Sequence, residues 1–188
     1  MNDSTQTGNR TLVETAARKG ITLDIRLLPT ATHTAEETAA AVGVDLGQIV
    51  SPQVYVAPPR LGRPVTIICL VSGRNNVDLG YLAAVTGEVN LRQATERETL
   101  ELTGYSAGAV PPFGYGRNVP TVMDQELTQY EWVWAATGAD RALFRVTPQT
   151  LRALCNATVA PVAATSWRHA QALGQSEPEL QFGGGAGA

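Results

Sequence analysis

Residues 96–124 read ERETLELTGYSAGAVPPFGYGRNVPTVMD, and the order of signals in this stretch decides how the chain folds. Just before it, Thr95-Glu-Arg-Glu98 has capping-box spacing: the Thr hydroxyl and the Glu carboxylate each take up an unpaired N–H at a helix start. The box opens the helix ERETLELTG, which stops at Gly104. Glycines at 104, 108, 114 and 116 and prolines at 111 and 112 follow. VPTVMD then reads as a short strand ending at Asp124. One turn needs one or two special residues. A loop that holds its backbone toward a guest needs more, because glycine permits close approach and proline fixes the chain in advance. A rigid surface connection is the competing reading of the same composition.

The flanks supply the rest of an α/β fold. VTIICLVSG (65–73) is continuous and β-branched, so it is expected to be a central strand. QIVSPQVYV before it is a strand interrupted by Pro52, which points to an edge, a bulge or a bend. APPRLGRP joins the two as a hairpin-type connection. RTLVETAARKG is read as an amphipathic helix with Leu12, Val13 and Ala16 on one face, and TLDIRLL as an alternating strand. Thr34-Ala-Glu-Glu37 is a second capping box, opening TAEETAAAV. DLGYLAAVTG is a short helix, EWVWAATG and ALFRV are strands, and ATVAPVA is a last one. Thr147-Pro148 starts the helix PQTLRALCN, with Thr as cap and Pro in the first turn. The expected class is α/β: a single compact domain with a mixed β-sheet flanked by helices. The domain is expected over 10–170, between a flexible tail at 1–9 and a low-complexity disordered tail at 171–188.

Composition narrows the function. The 188 residues are 44% hydrophobic and 16% charged, with net charge −3, an ordinary globular balance with no basic face for gripping nucleic acid unaided. Lys19 is the only lysine, and the arginines are scattered. No apolar run approaches the roughly 20 residues of a membrane helix. MNDSTQTGNR carries no signal-peptide core, so a cytoplasmic location is expected. Cys69 and Cys155 show no metal-ligand spacing, and with two histidines a zinc site is not expected.

Side-chain catalysts are few. The glycine loop is not a phosphate loop, lacking G-x-x-x-x-G-K-[ST], and it follows a helix rather than a strand, unlike a dinucleotide fingerprint. Asp124 reads as a general base, an orienter or a helix cap, capping being the commoner fate. His33 and His169 read as loop or solvated residues. Trp132 and Trp134 read as strand packing, and Asp45, Glu96 and Glu98 as solvated charges. Ser51 lacks any G-x-S-x-G context.

Taken in order, TAEETAAAVGVDLGQIV, VTIICLVSG, the loop segment and VWAATGADRALFRVTPQTLRALCNATVAPV resemble the YbaK/prolyl-tRNA-synthetase-associated editing-domain family over about residues 30 to 162. The most specific part is Thr103, Gly104, Tyr105, Gly108, Pro112 and Gly114, then Asp124. Gly138, Pro148 and Leu151 support it. The resemblance implies a deacylase that hydrolyses the ester of mischarged tRNA and so serves translation fidelity. It implies an aminoacyl 3′ end as substrate, an aminoacyl-tRNA synthetase as partner, and no metal or organic cofactor. Tyr105, Gly108, Pro112, Gly114 and Gly138 would bind substrate through the G-x-x-x-P loop and its neighbours. An activated ester needs a positioned water and oxyanion stabilisation more than a strong nucleophile.

The sequence departs from the family at one place. Where the family carries a lysine after the second helix, this chain has Ser51, then Pro52. Losing a cation there removes a charge-assisted contact of roughly 1.5–3 kcal/mol, about ten- to a hundredfold in rate. Arg60, Arg63, Arg74 or Arg117 are the arginines considered as replacements. Two readings follow: a deacylase with Ser51 in the lysine's place and Asp124 orienting a loop, or a non-catalytic module binding an amino-acid-like ligand or a synthetase.

Overall fold

The computed structural model describes residues 3–60, 62–139 and 141–164. Its elements are α1 (Asp3–Arg18), β1 (Asp24–Leu27), α2 (Ala35–Val42), β2 (Val50–Arg60), β3 (Arg63–Ser72), α3 (Leu79–Thr86), β4 (Arg92–Gln93), α4 (Glu96–Thr103), β5 (Thr121–Asp124), β6 (Val133–Ala136), β7 (Ala142–Val146), α5 (Pro148–Cys155) and β8 (Thr158–Ala160). Short 3-10 helices cover Leu46–Gln48 and Gln125–Gln129.

Five strands form a mixed sheet in the order β4-β2-β3-β5-β8. β2 pairs antiparallel with β3 and β4, whereas β3–β5 and β5–β8 are parallel. β3 is central, as its unbroken apolar run predicts. Ile68 and Leu70 enter one core cluster, and Ile67, Cys69 and Val71 enter another on the opposite face. All five are at most 1% exposed. A strand buried on both faces has no polar face to alternate with. The remaining strands make a second, antiparallel sheet, β1-β7-β6. An isolated bridge between Ile49 and Trp134 brings it to the start of β2.

Pro52 lies opposite Leu70 of β3. β4 reaches β2 only at Tyr55 and Val56, so the first half of β2 has a strand neighbour on one side. A residue without an N–H is tolerated at such an edge.

α1 begins at Asp3, so the part of the expected 1–9 tail that is described is helical. The expected tail at 171–188 lies outside the described residues. Leu12 and Ala16 are fully buried, but Val13 is 40% exposed. Positions i and i+4 share a helix face, and the next residue is turned about 100° away. Burying Leu12 stabilises the fold by about 1.5–3 kcal/mol. The box at Thr95/Glu98 forms as predicted. At α2 only half of the reciprocal pattern holds: Thr34 accepts from Glu37 N–H, but the Glu37 carboxylate takes the N–H of His33 at 2.8 Å. Glu98 is not a plain solvated charge, since both its carboxylate oxygens accept from Arg92, at 2.6 and 2.7 Å. No helix among the described residues is long and apolar enough to cross a membrane.

Candidate functional site

The free edge of β2 opens onto a cavity of about 530 Å³. All six residues Ile49–Val54 line it. Neighbours along a strand point to opposite faces, so an unbroken run of six means that the cavity follows the edge of the strand. The second wall is residues 106–110. The third comes from β6 and β7, through Trp134, Ala135, Ala142 and Leu143, and residues 31–35 with Thr38 contribute a fourth.

The glycine loop divides its labour. In its first half, Ala109 N–H donates to the Ser106 carbonyl at 3.0 Å and closes a turn. Gly108 occupies the third position of that turn with φ +86°, a left-handed backbone that suits glycine. A Cβ built there would meet nothing closer than the His33 carbonyl at 3.9 Å, so the wall at Gly108 opens on space. The second half is anchored in the core. Pro111, Pro112 and Phe113 are buried, and Phe113 packs edge-on against Phe144, with ring centres 5.8 Å apart. The Cys155 thiol donates to the Pro112 carbonyl at 3.4 Å, and the Tyr115 hydroxyl donates to the Pro111 carbonyl. A stiff, buried half thus holds the open half in place.

Of the residues predicted for the site, Ser51 and Gly108 line this cavity; Tyr105, Pro112, Gly114, Asp124 and Gly138 are not among its lining residues. Ser51 is half-buried, and its hydroxyl has no hydrogen-bond partner among the described residues. Gly114 is a packing glycine: a Cβ there would lie 3.2 Å from Leu12 Cα. Gly138 is another, since a Cβ would lie 2.4 Å from Cε1 of Tyr105. Asp124 is 2% exposed. It accepts from Glu126 N–H at 3.0 Å, capping the 3-10 helix, and from Asn75 Nδ2 at 2.8 Å. Capping, the commoner fate of such an aspartate, accounts for its position.

Two of the four arginines considered for the Ser51 site have partners elsewhere. Arg74 pairs with Asp45, and Arg117 donates to the Leu102 carbonyl at 3.0 Å. The side chains of Arg60 and Arg63 lie outside the described residues. Lys19 donates to the carbonyls of Ala153 and Leu154, at 2.7 and 3.0 Å, where a cation complements the end of α5. A different arginine, Arg141, lines the cavity. The sequence reading missed it because it stands between a turn and β7 and belongs to no motif. His33, read as a loop residue, is exposed and lines the cavity too. No group of three or more His, Cys, Asp or Glu among the described residues could hold a metal ion. Burial pushes the Cys69 thiol up to about 12, with the charge of Asp124 adding to it, which leaves a packed, unreactive sulfur.

Comparison with known proteins agrees with this architecture. Residues 30–154 match the family model described as "Aminoacyl-tRNA editing domain". EbsC of Enterococcus faecalis, named as a candidate Cys-tRNA(Pro)/Cys-tRNA(Cys) deacylase, is 23% identical over 68% of this chain and 76% of its own. A proline–tRNA ligase of Solidesulfovibrio magneticus is 30% identical over 61% of this chain but only 19% of its own length. A solved structure described as a candidate trans-editing enzyme for prolyl tRNA synthetase superposes with a TM-score of 0.75, at 40% identity, covering 87% of this chain and 99% of that one. The chain belongs to the aminoacyl-tRNA editing domain family.

Proposed function

We propose that the protein is a deacylase that hydrolyses the ester between a wrongly attached amino acid and its tRNA. The observation that carries this reading is the cavity between the β2 edge, with the unpartnered Ser51 hydroxyl, and the turn of Gly108. Water adds to the ester carbonyl, and the bond to the ribose oxygen breaks. The amino acid leaves as an acid, and the tRNA regains its terminal hydroxyl. Among the described lining residues no carboxylate is placed to act as base. Rate enhancement therefore comes from holding ester and water together and from dipoles aimed at the developing oxyanion. Ser51 is suited to bind the water or the carbonyl oxygen. The short side chains at Ala109, Val110 and Ala135 bound the space for the amino-acid side chain, and such a wall rejects a larger group by size.

Release of amino acid from a panel of mischarged tRNAs, including alanyl- and cysteinyl-tRNA(Pro), tests the reading. Rates above buffer support it. No release from any member of the panel refutes it and leaves the non-catalytic module, which the lack of lysine at position 51 favours. Ser51→Lys then separates two histories. Activity gained in a silent protein marks a degenerate enzyme, and activity lost from an active one marks a retuned site.

A further inference from the structure

Among the described residues that line the cavity, Arg141 is the one fully charged side chain, none is an aspartate or glutamate, and His33 is the other titratable group. A guanidinium lining a hollow makes a site for an anion, and its planar fork suits phosphate above all.

Arg141 is also held in position. Its backbone is left-handed, with φ 60°, which few arginines adopt. Its carbonyl accepts the Leu28 N–H at 2.7 Å. Its Nη1 donates to the Pro29 carbonyl at 3.1 Å. These bonds tie the start of β7 to the segment that runs into the cavity wall at 31–35. A guanidinium has five N–H donors; the Pro29 carbonyl uses one, and no carboxylate among the described residues pairs with the others.

The chemistry of the ligand then selects the anion. In an aminoacyl ester the carboxylate is consumed and the α-amino group is cationic. The nearest negative charge is the phosphodiester on the 5′ side of the terminal nucleoside. We infer that Arg141 binds this phosphate and sets how far the ester enters the cavity. The inference rests on the editing reading, and the volume of about 530 Å³ falls in the range of pockets that hold whole small molecules.

The test compares two substrates carrying the same ester: an aminoacylated tRNA minihelix and the corresponding aminoacyl-adenosine, which has no phosphate. Arg141→Gln should lower kcat/KM on the minihelix by roughly ten- to a hundredfold, the span of a lost charge-assisted hydrogen bond, mostly through KM. It should leave the adenosine ester within about twofold. Equal losses on both substrates would reduce Arg141 to a clip on Pro29, and no loss on either would remove it from the site; both outcomes overturn the inference. If thermal melting shows Arg141→Gln to be unfolded, Arg141→Lys carries the same comparison, with a severalfold loss confined to the minihelix expected and parity overturning the idea. If the wild type turns over nothing, the editing reading fails by itself, and calorimetry decides about Arg141. AMP bound at least tenfold more tightly than adenosine by the wild type, and equally by Arg141→Gln, supports the phosphate site. Equal affinities, or no binding, overturn it.

Discussion

Replacing Gly138 by alanine separates a packing glycine from a ligand-binding one. Two costs add at this position. Gly138 has φ +85°, and an L-residue in left-handed backbone loses roughly 1–2 kcal/mol. The new Cβ would stand 2.4 Å from Cε1 of Tyr105 and 3.0 Å from its Cδ1, so the half-buried ring must move. Overpacking of this kind costs about 1–3 kcal/mol. The sum is about 2–5 kcal/mol, which for a chain of this size lowers Tm by roughly 4–20 °C. Urea unfolding of four proteins measures it: wild type, Gly138→Ala, Tyr105→Ala and the double variant. In the Tyr105→Ala background the obstructing ring is gone, and Gly138→Ala should cost only the backbone share, about 1–2 kcal/mol. The cycle should therefore show a coupling of about 1–3 kcal/mol. The same cost in both backgrounds refutes the contact. No cost in either refutes the left-handed backbone as well.

Three further outcomes are expected. Asp124→Asn should cost about 1 kcal/mol through weaker acceptance from Glu126, Asn75 and Ser72, while turnover per folded molecule stays within about threefold. A loss of a hundredfold or more would make Asp124 a general base instead. Glu98 is held at a pKa of about 2, first by its hydrogen bonds from Arg92 and then by the Thr95 N–H. Its stabilisation is full above the unfolded carboxylate value near 4.5 and is lost as pH falls from there toward 2. Glu98→Gln should therefore flatten the fall of Tm between pH 5 and 2, and an unchanged slope would show that the Arg92 clamp contributes nothing. Cys69 and Cys155 are both buried, and burial raises both thiols. A disulfide reagent should label neither until the protein unfolds, and rapid labelling of the native protein would contradict their packing.

Much of the fold was legible because local chemistry and tertiary position agree in it. The apolar run of β3 admits one place in a sheet, the centre, and it is found there. Thr147-Pro148 starts α5 as its capping chemistry requires, and Thr95 and Glu98 close their box. Legibility fails where a third element decides. Val13 follows Leu12 in an apolar pair, yet the angle at which α1 meets the core leaves it outside. Glu37 has capping-box spacing, but His33 N–H is the donor it reaches. The two-residue strand β4 exists because it lies against Tyr55 and Val56, and nothing in Arg92-Gln93 announces a strand.

The site shows the same division more sharply. Gly108, Gly114 and Gly138 all look like backbone laid open for a ligand, because a glycine in sequence says only that a Cβ is unwelcome. What makes a Cβ unwelcome differs in each case: the left-handed backbone alone at Gly108, where the space is open, close contact with α1 at Gly114, and the Tyr105 ring at Gly138. A motif can therefore mark a family through residues that position the pocket without touching the guest. The charge in the pocket follows the opposite logic. Position 51 holds a neutral hydroxyl, while Arg141, 90 positions later in the numbering, brings a guanidinium to the same cavity from another sheet. A surface charge can be supplied from any wall of a hollow, because what a phosphate requires is a donor fork at the right place and not a particular strand. The backbone geometry that shapes the hollow has no such freedom, because the turn closed at Gly108 and the anchor at Phe113 fix where its wall stands.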